Sequence, residues 1–517
     1  MRRQVAQAAV IAAISVVVAS AQPSPPALWG SLEPGPFDVG YQMLMRYDPS
    51  RPPVPNDLGA VPAGATGRQM PVSVWYPARA TAVMHRLRVR DYAARRAQEL
   101  DLAPLDERRR AQGVAAFLSD LAAGHFSAGD AQHLLDMNLA AVDHAPAASG
   151  SFPLVVFAHS TPVAESIMAE YLASHGFVVA GVPPKGTRDA AYRLSAANFE
   201  TMAADLGYVI AVARTLPFTD RTRVGIVGMS NGSNGAVELA MRDAEIAAIV
   251  SLDGTIGEGP AGYLTSTTPY YGPANLTAPL LHLYAPENPF LDFAWIRSWR
   301  YADRTLVRLP GVQHSHFLAY AAFARFLPET GHAPAPDASR DFEEVCRRTL
   351  HFLVEHLGKA SAVARTTPDP LPADHQLATE IEHLPALERP PSERELNAMI
   401  ERSGVGTATD LLRQRMVTDP QPLPLATFLA VHNSLMSAGQ PNSALPFAKL
   451  FTEAYPASSR AHLSLAAALS AAGDTTAARA EFARVLTLVS ADTLDPYTRR
   501  RVETAAHVGL GPQVKSP

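Results

Sequence analysis

The sequence predicts an α/β protein built on a mainly parallel sheet, followed by a smaller all-α domain. Three observations lead to this prediction. Between residues 152 and 357, short continuous apolar runs alternate with helical segments, which is typical of buried parallel strands joined by helices. One of these runs changes into a helix at a serine flanked by glycines. After a proline-rich stretch, a helical pattern recurs with a period of 34 residues.

The composition excludes several classes of protein and site. A chain of 517 residues is too long for one ordinary domain. Its formal net charge of -5 leaves no basic excess for an anionic partner, so nucleic-acid binding is not expected. The single cysteine, Cys346, lies in an apolar helical stripe and is expected to be an inert core residue. No Cys/His spacing in the sequence matches a metal site, and neither a metal nor a cofactor is predicted.

The amino terminus has the pattern of a secretory signal peptide. Arg2 and Arg3 precede an apolar run over residues 5–18, and small residues at positions 19–21 form a cleavage signature. We expect cleavage after Ala21 and export of the mature chain to the periplasm or the medium. The apolar run is short for a spanning helix, so no integral membrane span is expected in the mature chain.

The predicted first domain, residues 22–358, opens with two strands and an insertion. Residues 37–45 and 70–77 alternate well enough to be strands, and we expect them to pair antiparallel at one sheet edge. Residues 80–148 have helical spacing and are expected to form a helical insertion over the sheet. The sequence does not decide whether this insertion is a lid on a substrate pocket or an inert decoration.

The alternating part of the domain follows. The reacting groups of such sheets collect at the carboxyl ends of the strands. The expected strands cover residues 152–158, 177–182, 224–227, 246–252, 279–284 and 305–309, and the expected helices include residues 164–175, 196–213, 236–242 and 341–357.

A linker and a second domain complete the chain. Residues 359–391 are rich in Pro, Ala and Thr and are expected to be a linker, so a chain ending near Lys359 is expected to fold. Residues 392–517 form the predicted second domain, which begins with a capping box from Ser392 to Glu395. Its segment 435–439 matches 469–473 at the period of tetratricopeptide repeats, which are stacked helix pairs. A protein partner could bind to these repeats.

The glycine-flanked serine indicates a nucleophile. Residues 228–232 read Gly-Met-Ser-Asn-Gly between a strand and a helix, which is the context of a G-x-S-x-G nucleophile elbow. A strained turn there lifts the Ser230 hydroxyl above the sheet, and glycine is needed where neighbouring backbone comes too close for a Cβ.

An activated serine also needs a base and an acid, and each has two candidates. His314 and His316 stand in the loop after the last predicted strand, where the base is expected. Asp253 directly follows the run 246–252, and Glu287 follows the next strand along the chain. A carboxylate at the end of a buried strand is unfavourable unless something hydrogen-bonds it, and a histidine would do so.

Several of these segments resemble the platelet-activating-factor acetylhydrolase and dienelactone-hydrolase-like branch of the α/β-hydrolases. Residues 228–232, 251–254 and 311–317 resemble the triad segments of that branch, and residues 37–40 and 74–77 are similar to its opening strands. The resemblance covers roughly residues 35–358. It implies that Ser230 is the nucleophile, Asp253 the acid and His314 the base, with Glu287 and His316 as the alternatives.

The resemblance also implies an oxyanion hole made of backbone N–H groups. One would come from Asn231 and one from the loop after the strand that ends at Ala158. The family has His-Gly-x-Gly in that loop, whereas this chain reads His-Ser-Thr-Pro over residues 159–162. Thr161 occupies the donor position, and Pro162 cannot donate because it has no N–H.

The expected function is that of an exported serine esterase that cleaves a small-molecule or lipid-like carboxylic ester through an acyl-enzyme. Two alternatives remain open from the sequence. One is a peptidase on the same fold. The other is a hydrolase fold that has lost its activity and acts as a binding scaffold through its helical repeats.

Overall fold

The computed structural model describes residues 25–56, 59–80, 84–123, 128–158, 161–326, 338–358 and 380–511. The predicted signal peptide lies outside these residues. The chain divides into two compact units. The sheet unit comprises Met1–Tyr271, Ala278–Ile296 and Thr305–His383, and the helical unit comprises Gly272–Thr277, Arg297–Arg304 and Leu384–Pro517.

Within the described residues, eleven strands form one sheet in the order β11-β10-β9-β8-β7-β5-β6-β2-β1-β4-β3. The strands are β1 (Asp38–Asp48), β2 (Arg68–Ala78), β3 (Arg86–Arg88), β4 (Asn138–Asp143), β5 (Phe152–Ala158), β6 (Val178–Gly181), β7 (Thr219–Met229), β8 (Ile246–Leu252), β9 (Leu280–Tyr284), β10 (Arg304–Arg308) and β11 (Ile381–Leu384).

The centre of the sheet is parallel and buried. Strand β5 pairs in parallel with both β6 and β7, and the parallel pairing continues through β8 to β9. All residues of β5 and β6 are buried, which is expected for strands covered on both faces. The helices that follow these strands are α4 (Ser166–Ser174), α5 (Ala196–Ala213), α6 (Gly232–Ala240), α7 (Gly259–Ser266), α8 (Ala294–Ser298), α9 (Ala319–Phe323) and α10 (Ala338–Leu357). The predicted fold class, a mainly parallel α/β sheet followed by an all-helical region, is confirmed.

The two opening strands pair as predicted but do not lie at the sheet edge. β1 and β2 are antiparallel, with Asp38 opposite Ala78 and Asp48 opposite Arg68. Beyond β1 lie β4, which pairs with it in parallel, and then β3. The prediction of an edge position was wrong because two further strands come from the insertion.

The insertion at residues 80–148 is therefore not purely helical. Between β3 and β4 it contains three helices, α1 (Val89–Ala94), α2 (Glu107–Ala123) and α3 (Ala128–Asp136). β4 reads Asn-Leu-Ala-Ala-Val-Asp, and its two alanines weaken the β signal. Its register against β1 depends on burial of Leu139, Ala141 and Val142, which is a tertiary effect.

A buried carboxylate ties this insertion to the centre of the unit. Glu170, on α4, accepts hydrogen bonds from the hydroxyl of Tyr92 at 2.8 Å and from the backbone N–H groups of Ala140 and Ala141 at 2.7 and 3.1 Å. Tyr92 lies in α1, and the two alanines lie in β4. Residues near the start and near the end of the insertion thus bind the same side chain. The insertion also extends the sheet, through β4 and β3.

Part of the predicted linker is also a strand. Residues 359–379 lie outside the described residues, but β11 (Ile381–Leu384) adds to the sheet beside β10, and the N–H of Arg308 donates to the carbonyl of Glu380 at 3.0 Å. β11 is short, and its residues alternate between exposed and half-buried. A four-residue edge strand beside a proline-rich segment has too little periodicity to be recognised from sequence.

The helical unit contains the predicted repeat of helix pairs. Its helices are α11 (Glu393–Arg415), α12 (Leu425–Ser437), α13 (Pro441–Ala454), α14 (Ser459–Ala471), α15 (Thr475–Leu488) and α16 (Pro496–Leu510). The turns between α12 and α13 and between α14 and α15 contain Gly439 and Gly473, both at positive φ. In each turn the residue after the glycine donates its N–H to a carbonyl five residues earlier. The period of 34 therefore corresponds to one helix pair and its turn.

Asp419 holds the short segment Arg297–Arg304 within the helical unit. Its buried carboxylate accepts from the guanidinium of Arg300 and from the hydroxyl of Tyr301, the latter at 3.1 Å. Leu387 donates its N–H to the carbonyl of Arg300 at 2.8 Å. A chain ending near Lys359 would lack these partners and β11, and its ability to fold stays a prediction.

Asp419→Ala should lower the free energy of unfolding of the helical unit by about 2–4 kcal/mol, since it leaves a cation and a buried hydroxyl without their acceptor. Chemical denaturation followed by tryptophan fluorescence measures this, because Trp299 is buried in the same segment. Asp410→Ala is the matched control. Its carboxylate is 80% exposed and 3.9 Å from Arg413, so the change should stay within about 0.5 kcal/mol. Equal midpoints for the two variants would contradict the assignment.

Two further findings concern the sequence predictions. Among the residues that the structure describes, no helix has the length and apolar character needed to cross a membrane. Cys346 is fully buried in α10, and burial raises the pKa of its thiol well above the ordinary value. A thiol held in its neutral form is a poor nucleophile.

Candidate active site

The turn after β7 has the geometry of a nucleophile elbow. β7 ends at Met229 and α6 begins at Gly232, and between them Ser230 has a φ of 51°. This left-handed conformation is unfavourable for serine and persists only when its surroundings enforce it. The Ser230 N–H donates to the carbonyl of Leu252 at 3.0 Å, and the Ser230 carbonyl accepts from Ser233 and Thr255 at 3.1 and 3.2 Å.

Close packing explains the first glycine of the motif. A Cβ at Gly228 would lie 2.7 Å from both the N and the Cα of Ser233, in the first turn of α6. Backbone atoms of a buried helix cannot move aside, so this position has to be glycine. The side chain of Ser230 is half-buried at the carboxyl end of the strand.

Asp253 occupies the corresponding place on the neighbouring strand. It directly follows β8 and also has a positive φ, 42°. Its N–H donates to the carbonyl of Leu283 at 2.7 Å, and its Oδ1 accepts from the N–H of Ala285 at 2.9 Å. The carboxylate is thus held between the ends of β8 and β9, with Oδ2 left for another donor.

His314 contacts that second oxygen. Its Nδ1 lies 2.6 Å from Oδ2 of Asp253, and its side chain is 56% exposed, whereas that of Asp253 is 5% exposed. His314 begins a 3₁₀ helix, His314–Phe317, in the loop after β10. Because Nδ1 faces the carboxylate, Nε2 is the ring nitrogen left to exchange a proton with a substrate or a nucleophile.

His316 is placed differently from His314. It is buried, its Nδ1 lies 3.0 Å from Oδ2 of Asp341 on α10, and it also lies 3.2 Å from the N–H of Gln313. These contacts fasten the histidine loop to the core. The structure therefore separates the two histidines, with His314 on the candidate acid and His316 in the supporting core.

Glu287, the alternative acid, is exposed in the loop after β9. The same loop supplies the Ala285 N–H that binds Asp253. The carboxylate on His314 thus comes from the earlier of the two strand ends, and the later strand end contributes a backbone donor that holds it.

Asp253→Asn should lower kcat by about 10⁴, because an amide leaves the His314 ring in the wrong tautomer and no longer stabilises its charged form. Glu287→Gln is the matched control and should leave kcat nearly unchanged. Steady-state turnover of both variants on one ester measures the difference. A severe loss from Glu287→Gln beside a mild one from Asp253→Asn would transfer the role to the later loop.

The two candidate oxyanion donors differ in their surroundings. Asn231 is the N-cap of α6, with helical φ and ψ of -59° and -19°, so it lies at a helix amino end, where the dipole favours negative charge. The N–H of Thr161 donates to Oε2 of Glu165 at 2.7 Å. His159 and Ser160 lie outside the described residues. The structure thus gives the Thr161 donor a carboxylate partner, which the sequence did not indicate.

A small apolar cavity lies beside these elements. It is bounded by the residues that precede Ser230 and Asp253, by the ends of β5 and β7, and by the loop after His316. Glu165 is the charged side chain in its lining, which comprises Phe157, Ala158, Ala164, Glu165, Met168, Val227, Met229, Leu252, Phe317, Leu318 and Phe342.

Sequence reasoning missed the supporting residues of the site. Asp341, Glu165 and the cavity lining come from α10, from α4 and the two residues before it, from three strands and from the histidine loop, so sequence spacing carries little signal for them. The spacing of four between Thr161 and Glu165 is the one local signal. Within the described residues, no group of three or more His, Cys, Asp or Glu side chains could hold a metal ion.

Comparison with known proteins gives a distant structural likeness. A ferulic acid esterase from Streptomyces cinnamoneus matches with a TM-score of 0.46 and 19% sequence identity, over 67% of this chain and 96% of that one. No protein-family model matches the sequence, and no curated protein matches it either. The roles of individual residues rest on the contacts described above.

Proposed function

We propose that the chain is a serine hydrolase of the α/β-hydrolase kind that cleaves carboxylic esters, with Ser230 as nucleophile, His314 as base and Asp253 as acid. The observation that carries this proposal is the 2.6 Å contact between Nδ1 of His314 and Oδ2 of Asp253. It joins the end of β8 to the histidine loop beside a serine in the left-handed conformation. A positioned base, an orienting acid and a serine on a strand-end turn are the parts that acyl transfer needs.

In the proposed reaction the Ser230 Oγ attacks the ester carbonyl carbon while Nε2 of His314 takes the hydroxyl proton. Asp253 stabilises the imidazolium that forms. The tetrahedral intermediate then collapses, the bond to the alcohol oxygen breaks, and His314 gives its proton to the leaving alcohol. Water attacks the acyl-enzyme by the same route, which releases the acid and restores Ser230.

Two backbone donors are proposed to bind the oxyanion. The Asn231 N–H is favoured by its place at the amino end of α6. The Thr161 N–H is the second, and it must turn from Glu165 toward the substrate oxygen, because a carboxylate that keeps this donor would repel the developing charge. Binding of the ester is the event that we expect to drive this exchange.

The cavity suggests the kind of acyl group. Its lining is almost entirely apolar and includes the residues before Ser230 and Asp253, so this side of the site favours an apolar acyl group over a charged one. We therefore favour short-chain or lipid-like esters. The likeness to the platelet-activating-factor acetylhydrolase and dienelactone-hydrolase-like branch is part of this proposal.

Export and a protein partner belong to the same proposal. The signal-peptide pattern of residues 1–21 is the support for export to the periplasm or the medium. The two helix pairs of the helical unit, with their equivalent glycine turns, support a tetratricopeptide-like arrangement that binds another protein. Export would be measured by fractionation of cells that express the full chain.

Esters of p-nitrophenol with increasing acyl length test the proposed activity. Wild type should hydrolyse the short-chain members best and should be labelled at Ser230 by a fluorophosphonate, as mass spectrometry would detect. Ser266→Ala is a matched control at a half-buried serine in α7 and should behave as wild type. A folded wild type that hydrolyses no member and resists the label would refute the proposal.

A further inference from the structure

A row of buried polar groups crosses the sheet directly beneath the candidate triad. Gly228, Ser251 and His282 are register partners on β7, β8 and β9, so they lie side by side at one level of the sheet. Ser233, in the first turn of α6, lies against the same level. The side chains of Ser233, Ser251 and His282 are fully buried.

Hydrogen bonds join these groups into one chain. The Ser233 Oγ donates to the Gly228 carbonyl at 2.8 Å, and the Ser251 Oγ donates to the Ser233 Oγ at 3.0 Å. Nδ1 of His282 lies 2.9 Å from the Ser251 Oγ. The Gly228 carbonyl can only accept, so the Ser233 hydroxyl donates to it and the Ser251 hydroxyl donates to Ser233. Both hydroxyl protons are then engaged, so Nδ1 of His282 has to donate to the Ser251 Oγ.

The histidine is suited to this fixed direction. Burial lowers the pKa of His282 to about 4, so the ring is neutral at ordinary pH, with its one proton on Nδ1. The ring stacks on Tyr284 and meets the edge of Phe293, with centroids 5.6 and 5.8 Å away. Its Nε2 is buried without a hydrogen-bond partner among the described residues.

The row lies close to both Ser230 and Asp253. Gly228 and Ser251 each stand two residues before a proposed catalytic residue, Ser230 and Asp253 respectively. A Cβ at Gly254 would lie 2.1 Å from the Ser233 Oγ and 2.2 Å from the Ser251 Oγ. The backbone next to Asp253 thus packs directly on the hydroxyls of the row.

Apolar side chains in this space would be less unfavourable for the free energy of folding than these polar ones. A buried polar group destabilises the fold when it lacks a hydrogen-bond partner, and Nε2 of His282 has none among the described residues. Directional bonds, unlike apolar contacts, fix the spacing between the strand ends that they join. Displacement of catalytic groups by about 1 Å can lower a rate by about 10².

We propose that Ser233, Ser251 and His282 are positioning residues that fix the end of β7, which carries Ser230, relative to the end of β8, which carries Asp253. They touch neither substrate nor the reacting atoms. They act through the spacing of the two strand ends. That spacing decides whether His314 can contact Asp253 and take the proton of Ser230 in one geometry. This inference rests on the proposed function.

The test compares His282→Phe, which keeps the aromatic packing but removes the donor, with His282→Asn, which returns an N–H near the place of Nδ1. His282→Phe should lower both kcat and the rate of fluorophosphonate labelling at Ser230 by about tenfold or more, with KM nearly unchanged. His282→Asn should recover much of that loss. Replacement of another buried histidine, His432→Phe in α12, is the matched control and should leave kcat as in wild type.

A double variant tests whether the row acts as one unit. His282→Phe combined with Ser251→Ala should lose little more activity than the worse single variant, whereas independent effects would multiply. Melting curves of every variant show whether a lost rate follows lost folding. Wild-type labelling by folded His282→Phe, multiplicative losses, or no recovery with folded His282→Asn would overturn the inference while the proposed function stands. An unlabelled wild type would overturn both.

Discussion

Ser230→Ala is expected to lower kcat by about 10⁶ while the protein stays folded, because the members of a catalytic triad act as a unit. The methyl group keeps the Cβ in place, and the contacts that hold the elbow are backbone hydrogen bonds of residue 230, which alanine also makes. Turnover of the best p-nitrophenyl ester and the fluorophosphonate label measure the loss together. The label should disappear completely.

A comparison with Ser266→Ala shows whether the loss is specific. Ser266 is half-buried, like Ser230, and its hydroxyl donates to the carbonyl of Tyr263 at 2.7 Å, so its removal should affect neither the rate nor the label. Circular dichroism should be the same for both variants. Ester hydrolysis at the wild-type rate by Ser230→Ala would end the esterase proposal, since that proposal assigns the attack on the ester to the Ser230 hydroxyl.

His314→Ala is the second large effect and should cost kcat about as much as the loss of Ser230. Its side chain is 56% exposed and contributes little packing, so the variant should stay folded at the assay temperature. We would measure two quantities for each variant: kcat on the same ester, and the melting temperature.

His316 provides the opposite pattern for the same loop. It is buried on Asp341, so His316→Ala should lower the free energy of unfolding by about 2–4 kcal/mol. Its kcat, measured well below the melting temperature, should fall far less than that of His314→Ala. If His316→Ala were the inactive variant and His314→Ala the unstable one, His316 rather than His314 would be the base.

The site combines two strained residues on neighbouring strands. Ser230 and Asp253 both have positive φ, and each directly follows its strand. Backbone hydrogen bonds from Ser230 to Leu252 and from Asp253 to Leu283 connect successive strand ends. Strain held by such contacts keeps these two side chains in place before substrate binds.

Much of this protein follows from its sequence alone. The strands at the centre of the sheet, α5 and the elbow at Ser230 were predicted because continuous apolar runs, helical periodicity and paired glycines are local signals. The helix pairs were predicted because a repeat is visible in one chain. Each of these features depends on residues a few positions apart, so no knowledge of the packing was needed.

Tertiary structure alone decided the rest. Asp253 rather than Glu287 contacts His314 because β8 ends beside the histidine loop and Ala285 binds the carboxylate from the next strand. β4 and β11 are strands because a sheet edge offered them hydrogen-bond partners, although their own residues favour strands only weakly. The row ending at His282 joins residues that are 18 and 31 positions apart. Such contacts depend on sheet order and register, and a short segment of sequence holds no information on either.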